Sequence, residues 1–213
     1  MKREIAGPTI RFLILATLSA AGAISCAPTS PEGSLALTSK TANPLRLDAR
    51  FTHGAYAVEP AGVSMIMSTV SLEDLRTGDF ENAQVVDIRV MWDPIAGRTP
   101  VSKESTNLII RHVVLVGEEA GIYGGGGFGW PQGTPGETGF GLEITGSSVA
   151  LVDSTEGFLD PFSPATLLGT IGGPLDAATT VGMRDAISQL VTNRLGRTRW
   201  VRYDPGESDH DHG

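Results

Sequence analysis

The chain has 213 residues, 40% of them hydrophobic and 19% charged, with 16 basic against 24 acidic side chains and a formal net charge of −8. That balance is of a folded chain rather than a disordered one. It argues against nucleic acid as a partner, which asks for a basic face, and against docking on anionic lipid by charge. A single cysteine permits no internal disulfide, so the fold must rest on burial, which a chain of this length can supply.

Lys2, Arg3 and Arg11 precede an apolar run over residues 12–24, with Glu4 the only acid before it. The run is shorter than the roughly 20 apolar residues that cross a bilayer. A positive start, a short apolar middle and a small-residue exit describe a cleaved secretory signal. Ala23-Ile24-Ser25-Cys26 then resembles the lipobox of bacterial lipoproteins. The resemblance implies removal of residues 1–25 and a lipid on Cys26, whose thiol takes up the diacylglycerol. It implies a cell-envelope location, membrane-anchored through that lipid. Ala27 and Pro28 follow where an inner-membrane retention signal would place Asp, so in a Gram-negative host the outer membrane is favoured. Ala21-Gly22-Ala23 offers the competing reading, an ordinary cleavage site whose product starts at Ile24, is soluble and keeps one free thiol. Loss of residues 1–25 removes three basic residues and one acid, leaving 13 against 23 and a net charge of −10.

Residues 26–44 are rich in Pro, Ser, Thr and Gly and read as a flexible tether; a single domain is expected over 45–205. Period two predicts strands over 49–58 and 63–70. Residues 72–77 fit one helical turn between Ser71 as cap and Gly78 as stop. Residues 84–92 alternate Val86, Ile88, Val90 and Trp92 with Asp87 and Arg89, and a loop follows to Ser105. Residues 108–116 are apolar on both faces, as in a strand covered on both sides. Ile122 and Tyr123 lead into Gly124, Gly125, Gly126 and Gly127, then Phe128-Gly129-Trp130, and a Gly- and Pro-rich loop follows to Gly139. Residues 140–145 and 149–153 read as strands joined by a hairpin at Gly146-Ser147, and 166–171 as a further strand. Over about 176–195 the period becomes 3.6, with Met183, Ala186, Ile187, Leu190 and Val191 on one stripe and Gly196 as the stop. A last strand is expected over 199–203, then a polar tail over 206–213. The fold class is mainly β (α+β): an antiparallel sandwich or open barrel-like sheet with one C-terminal helix.

The glycine run lacks the Lys-Ser/Thr of a phosphate loop and the helix that would follow it. It fits a flat strand crossed closely by another backbone, or a ligand-binding loop in which Tyr123, Phe128 and Trp130 stack on a sugar or peptide. Asp209, His210, Asp211 and His212 are metal-ligand types in a short terminal tail, which favours a solvated end over a site; no metal and no cofactor is expected. His112 reads as a core histidine, and His53 is the histidine to test as a base. No catalytic motif of an esterase, zinc protease or redox dithiol occurs, and no catalytic residue is assigned. Asp87, Glu143, Asp153, Glu156 and Asp160 are scattered acids that a fold could pair. The expected function is a non-enzymatic binding or scaffolding domain, lipid-anchored, meeting an envelope protein or glycan. The alternative is an exported hydrolase working through carboxylates or His53 on a β scaffold.

Overall fold

The computed structural model describes residues 28–95 and 105–198. The strands are β1 (Glu32–Ser39), β2 (Arg46–Phe51), β3 (His53–Glu59), β4 (Gly62–Ser68), β5 (Asn82–Val90), β6 (Leu108–Val116), β7 (Glu119–Gln132), β8 (Gly139–Ser154) and β9 (Ala165–Pro174). The helices are α1 (Leu72–Thr77) and α2 (Ala177–Leu195). All nine strands form one antiparallel sheet in the order β2-β1-β9-β8-β7-β6-β5-β4-β3. The sheet curls into a half-barrel. Its edge strand β3 comes round to the end of β9, where Tyr56 bridges Leu175 and the Asp176 N–H donates to the Tyr56 carbonyl at 2.9 Å. The expected class, mainly antiparallel β with one C-terminal helix, is the one found.

Alternation along the strands builds two cores. Leu37, Phe51, Tyr56, Met65, Ile88, Leu108, Tyr123 and Phe140 fill the inside of the curl. Ile66, Val85, Val113, Leu115 and Ile122 face outward and meet Met183, Ile187 and Val191 of α2. This is why β6 is apolar on both faces: even positions serve the barrel and odd ones the helix. Asp176 caps α2 by accepting from the Thr179 N–H, and Gly196 ends it at φ 66°, a conformation that suits glycine. The Arg194 guanidinium reaches past the stripe, 5.5 Å above the Phe80 ring, and donates to the Glu119 carbonyl at 3.1 Å. Helix α1 has the expected cap at Ser71, completed by Asp74 as a capping box, and the expected stop at Gly78.

Several boundaries need correction. The stretch expected as a tether over 26–44 contains β1, which lies within the sheet, paired on one side with the edge strand β2 and on the other with β9. Leu35, Leu37 and Ser39 point inward while Ser34, Ala36 and Thr38 do not. Small polar residues hid a period of two, and a strand hydrogen-bonded on both sides needs few large side chains. The chain is fastened even earlier: the Pro28 ring packs on Gly172 and Gly141, two sites with no side chain to oppose it. The domain therefore starts well before residue 45. The strand expected over 49–58 is two, β2 and β3, parted at Thr52. The glycine run is the flat strand that one reading expected, the body of β7, and the strand continues to Gln132, two residues into the loop expected after Trp130. At Gly125 a Cβ would overlap the Ser148 carbonyl oxygen, so the neighbouring backbone requires glycine there. Gly146-Ser147 is no hairpin but an irregularity within β8, between Ile144 and Val149. There Ser147 Oγ donates to the Leu167 carbonyl at 2.7 Å and accepts from the Leu167 N–H at 2.6 Å, taking the place of a ladder position. The strand expected over 199–203, the tail and Cys26 lie outside the described residues.

Candidate groove on the outer sheet face

Beyond the C-terminal end of α2, no described helix or strand packs on the outer face of the sheet, and Ile109 and Val152 are exposed there. A groove of about 320 Å³ runs over β6, β7 and β8, lined by Ile109, Arg111, Ile122, Gly124, Val152 and Asp153 among others. Its construction follows from the register. Ile109 pairs with Gly126 and Arg111 with Gly124, and Gly124 lies against Val152, whose methyl would be 3.0 Å from a Cβ there. Without side chains on Gly124 and Gly125 the backbone of β7 forms part of the floor. Ile109 and Val152 form the walls, 43% and 58% exposed. A walled strip of this size lies at the lower end of the range for ligand clefts.

The end of the groove nearest α2 is electrostatically defined. The Asp153 carboxylate is 7% exposed and pairs with Arg197, Nη2 to Oδ1, at 2.5 Å. Arg197 is the residue after the Gly196 cap, so this ion pair sets the point where the chain leaves the helix: at the mouth of the groove.

The residues singled out from the sequence fall elsewhere. Tyr123 and Phe128 are buried and Trp130 is half-buried, so the three rings do not form an exposed stacking platform. Phe128 packs edge-on against Trp130 at 5.2 Å and against Trp92 at 6.1 Å. Tyr123 lies inside the curl between Phe158 and Phe162, and its hydroxyl donates to Asp160 Oδ1 at 2.8 Å. Burial pushes the Tyr123 hydroxyl well up from its ordinary range. Burial works against the Asp160 charge, but hydrogen bonds from Ser163, Phe162 and Tyr123 outweigh it and hold the carboxyl below the usual value. His53 opens β3, half-buried, opposite Ser68, with no ion pair to an acid among the described residues.

His112 is fully buried inside the barrel, with Nε2 3.0 Å from Gln84 Oε1. Its Nδ1 has no hydrogen-bond partner among the described residues, and burial pushes its pKa down to about 4. Asp87 is drawn into a different cluster. Arg184 of α2 donates to Asp87 at 3.0 Å and to Glu59 at 3.3 Å, with Ser64 also in contact. The scattered acids are thus answered one by one: Asp87 by Arg184, Asp153 by Arg197, Asp160 by Tyr123. Glu143 and Glu156 are exposed. The described residues hold no group of three metal-ligating side chains and no helix long and apolar enough to cross a membrane.

The groove residues Ile109 and Val152 were not distinguishable in the sequence, where they read as ordinary strand positions. The available signal was the glycine strip: a run without side chains inside a strand leaves a channel unless its neighbours fill it. Compared with known protein families, characterised proteins and solved structures, the chain matches none.

Proposed function

We propose that this chain is an exported envelope lipoprotein, held by lipid on Cys26, whose β domain binds a partner instead of carrying out a reaction. The lipobox-like Ala23–Cys26 sequence supports the anchor. The observation that carries the binding role is the exposed strip over Gly124 and Gly125 between Ile109 and Val152. Its chemistry suits an extended apolar peptide segment. Such a segment can lie flat on a backbone floor and bury aliphatic walls, a contact that yields about 25 cal/mol for each Å² of apolar surface covered.

The anchor is tested by the intact mass of the chain recovered from its own envelope fraction, beside a Cys26→Ala version. The expected chain begins at Cys26 and is heavier by acyl groups. A chain beginning at Ile24 without added mass overturns the anchor. The binding role is tested by Ile109→Glu with Val152→Glu. This variant should keep its melting temperature and lose the complex that the native chain forms in detergent-solubilised envelope. A complex of unchanged size and amount overturns the groove as the binding site.

A further inference from the structure

We infer that residues 91–95, with Trp130, form a surface that rests in the headgroup layer of a membrane beside the acylated residue. The inference rests on the lipid anchor of the proposed function and adds the face that the domain turns to the bilayer. On the sheet, Trp130 pairs with Glu143 and Gln132 with Gly141. Alternate residues share a face, so these four lie outside the curl while Leu142 and Ile144 fill it. The Pro28 ring sits on that outer face. The point where a Cβ would stand on Gly141 is 3.3 Å from Pro28 Cδ and 3.2 Å from Gln132 Oε1. Trp130 is two residues from Gln132 along β7, about 7 Å. Cys26 is two residues before Pro28, within the same reach, so acyl chains on it would enter the bilayer close to Trp130. Through Phe128 the Trp130 ring is joined to that of Trp92, with centroids 5.2 and 6.1 Å apart. Met91, Trp92 and Ile95 are 41%, 40% and 57% exposed. The backbone beneath them is fixed. Buried Asn107 donates to the Trp92 carbonyl at 3.3 Å and to the Gly129 carbonyl at 2.9 Å, and the Trp92 indole N–H donates to the Thr106 carbonyl at 3.1 Å. A rigid corner loses little conformational freedom on meeting a surface, and tryptophan is the side chain enriched where membrane meets water. Glu32, Asp93 and Glu143 are exposed around it, which confines the contact to the headgroup layer and favours zwitterionic over anionic lipid. Acylation holds the protein on the membrane; this corner decides which way it faces.

Fluorescence of the acylated chain, recovered from its envelope and reconstituted in phosphatidylcholine vesicles, tests this. The chain has three tryptophans, so Trp130→Phe with Trp200→Phe leaves Trp92 as the reporter. Its emission should be quenched by lipids brominated near the head of the acyl chain, and less by lipids brominated near its end. Adding Trp92→Phe and Val116→Trp moves the reporter to an exposed site at the far end of β6, where no quenching is expected. A chain that carries acyl groups and floats with the vesicles, but whose Trp92 is not quenched, overturns the surface and leaves the anchor standing. Equal quenching at positions 92 and 116 also overturns it, because the domain then has no fixed face. A chain whose intact mass shows no acyl groups overturns both readings. A second variant, Met91→Gln with Ile95→Gln, changes two exposed side chains. It should keep the melting temperature and lose part of the Trp92 quenching; quenching unchanged from the native pair overturns the contact through these residues.

Discussion

His112 shows what a single buried base does to a fold. Its ring sits between β5 and β7 with one nitrogen on Gln84 and the other without a hydrogen-bond partner among the described residues. A proton on Nδ1 would be a buried charge without a partner, so the folded chain resists taking it until about pH 4, whereas an unfolded chain takes it near 6.5. The unfolded state binds more protons between those values, so stability rises with pH across that window. Stability is expected to be level above pH 7 and to fall by roughly 3 kcal/mol on acidification towards pH 4. Urea unfolding of the native chain and of His112→Leu, at pH 7.5 and 5, checks this; the variant should lose most of the difference. If both chains lose stability alike, His112 is not the cause. Arg184 makes the opposite kind of site. Burial works against its charge, but Asp87 and Glu59 outweigh it and raise its pKa. Arg184→Met should cost roughly 3 kcal/mol by stranding Asp87, and Arg184→Met with Asp87→Leu should recover much of that. Thermal or denaturant melts of the two variants decide it.

Among the elements, β1 carries the plainest test. Leu37→Ala is expected to cost about 2–5 kcal/mol, as a leucine lost from a packed core does, whereas the same change in a tether would cost nothing. Comparison of denaturation midpoints distinguishes the two. The elements legible in the sequence were those whose local chemistry and burial agree. Helix α2 carries its own stripe and stop, α1 its own caps, and β5 and β6 their own alternation. Those that were missed depend on neighbours. The few leucines of β1 signify a strand only because β2 and β9 flank them. The last residues of β7 pair with β8 beyond Trp130, and the turn-like Gly146-Ser147 is absorbed by Leu167 of the next strand. The groove was illegible for the same reason. Its walls, Ile109 and Val152, belong to β6 and β8, and become a site only when the bare middle of β7 is laid between them.

At the scale of the whole molecule, the groove sits on a surface that the fold can spare. Ile109 and Val152 are outside both cores, so their exchange for glutamate should change stability by no more than about 0.5 kcal/mol each while removing the apolar walls. Calorimetry of the double variant checks that any lost binding is not lost folding. The seating of Pro28 on Gly141 and Gly172 has a further consequence for how the molecule stands. With lipid on Cys26, only Ala27 would separate the acylated residue from a fixed point of the barrel, a leash of about 7 Å. A protein so anchored would have little room to swing and would turn the Gly141 end of β8 towards the headgroups. Val152 lies towards the other end of the same strand. The groove would then open away from the surface, where a tall or unanchored neighbour would meet it and a low one embedded beside it would not.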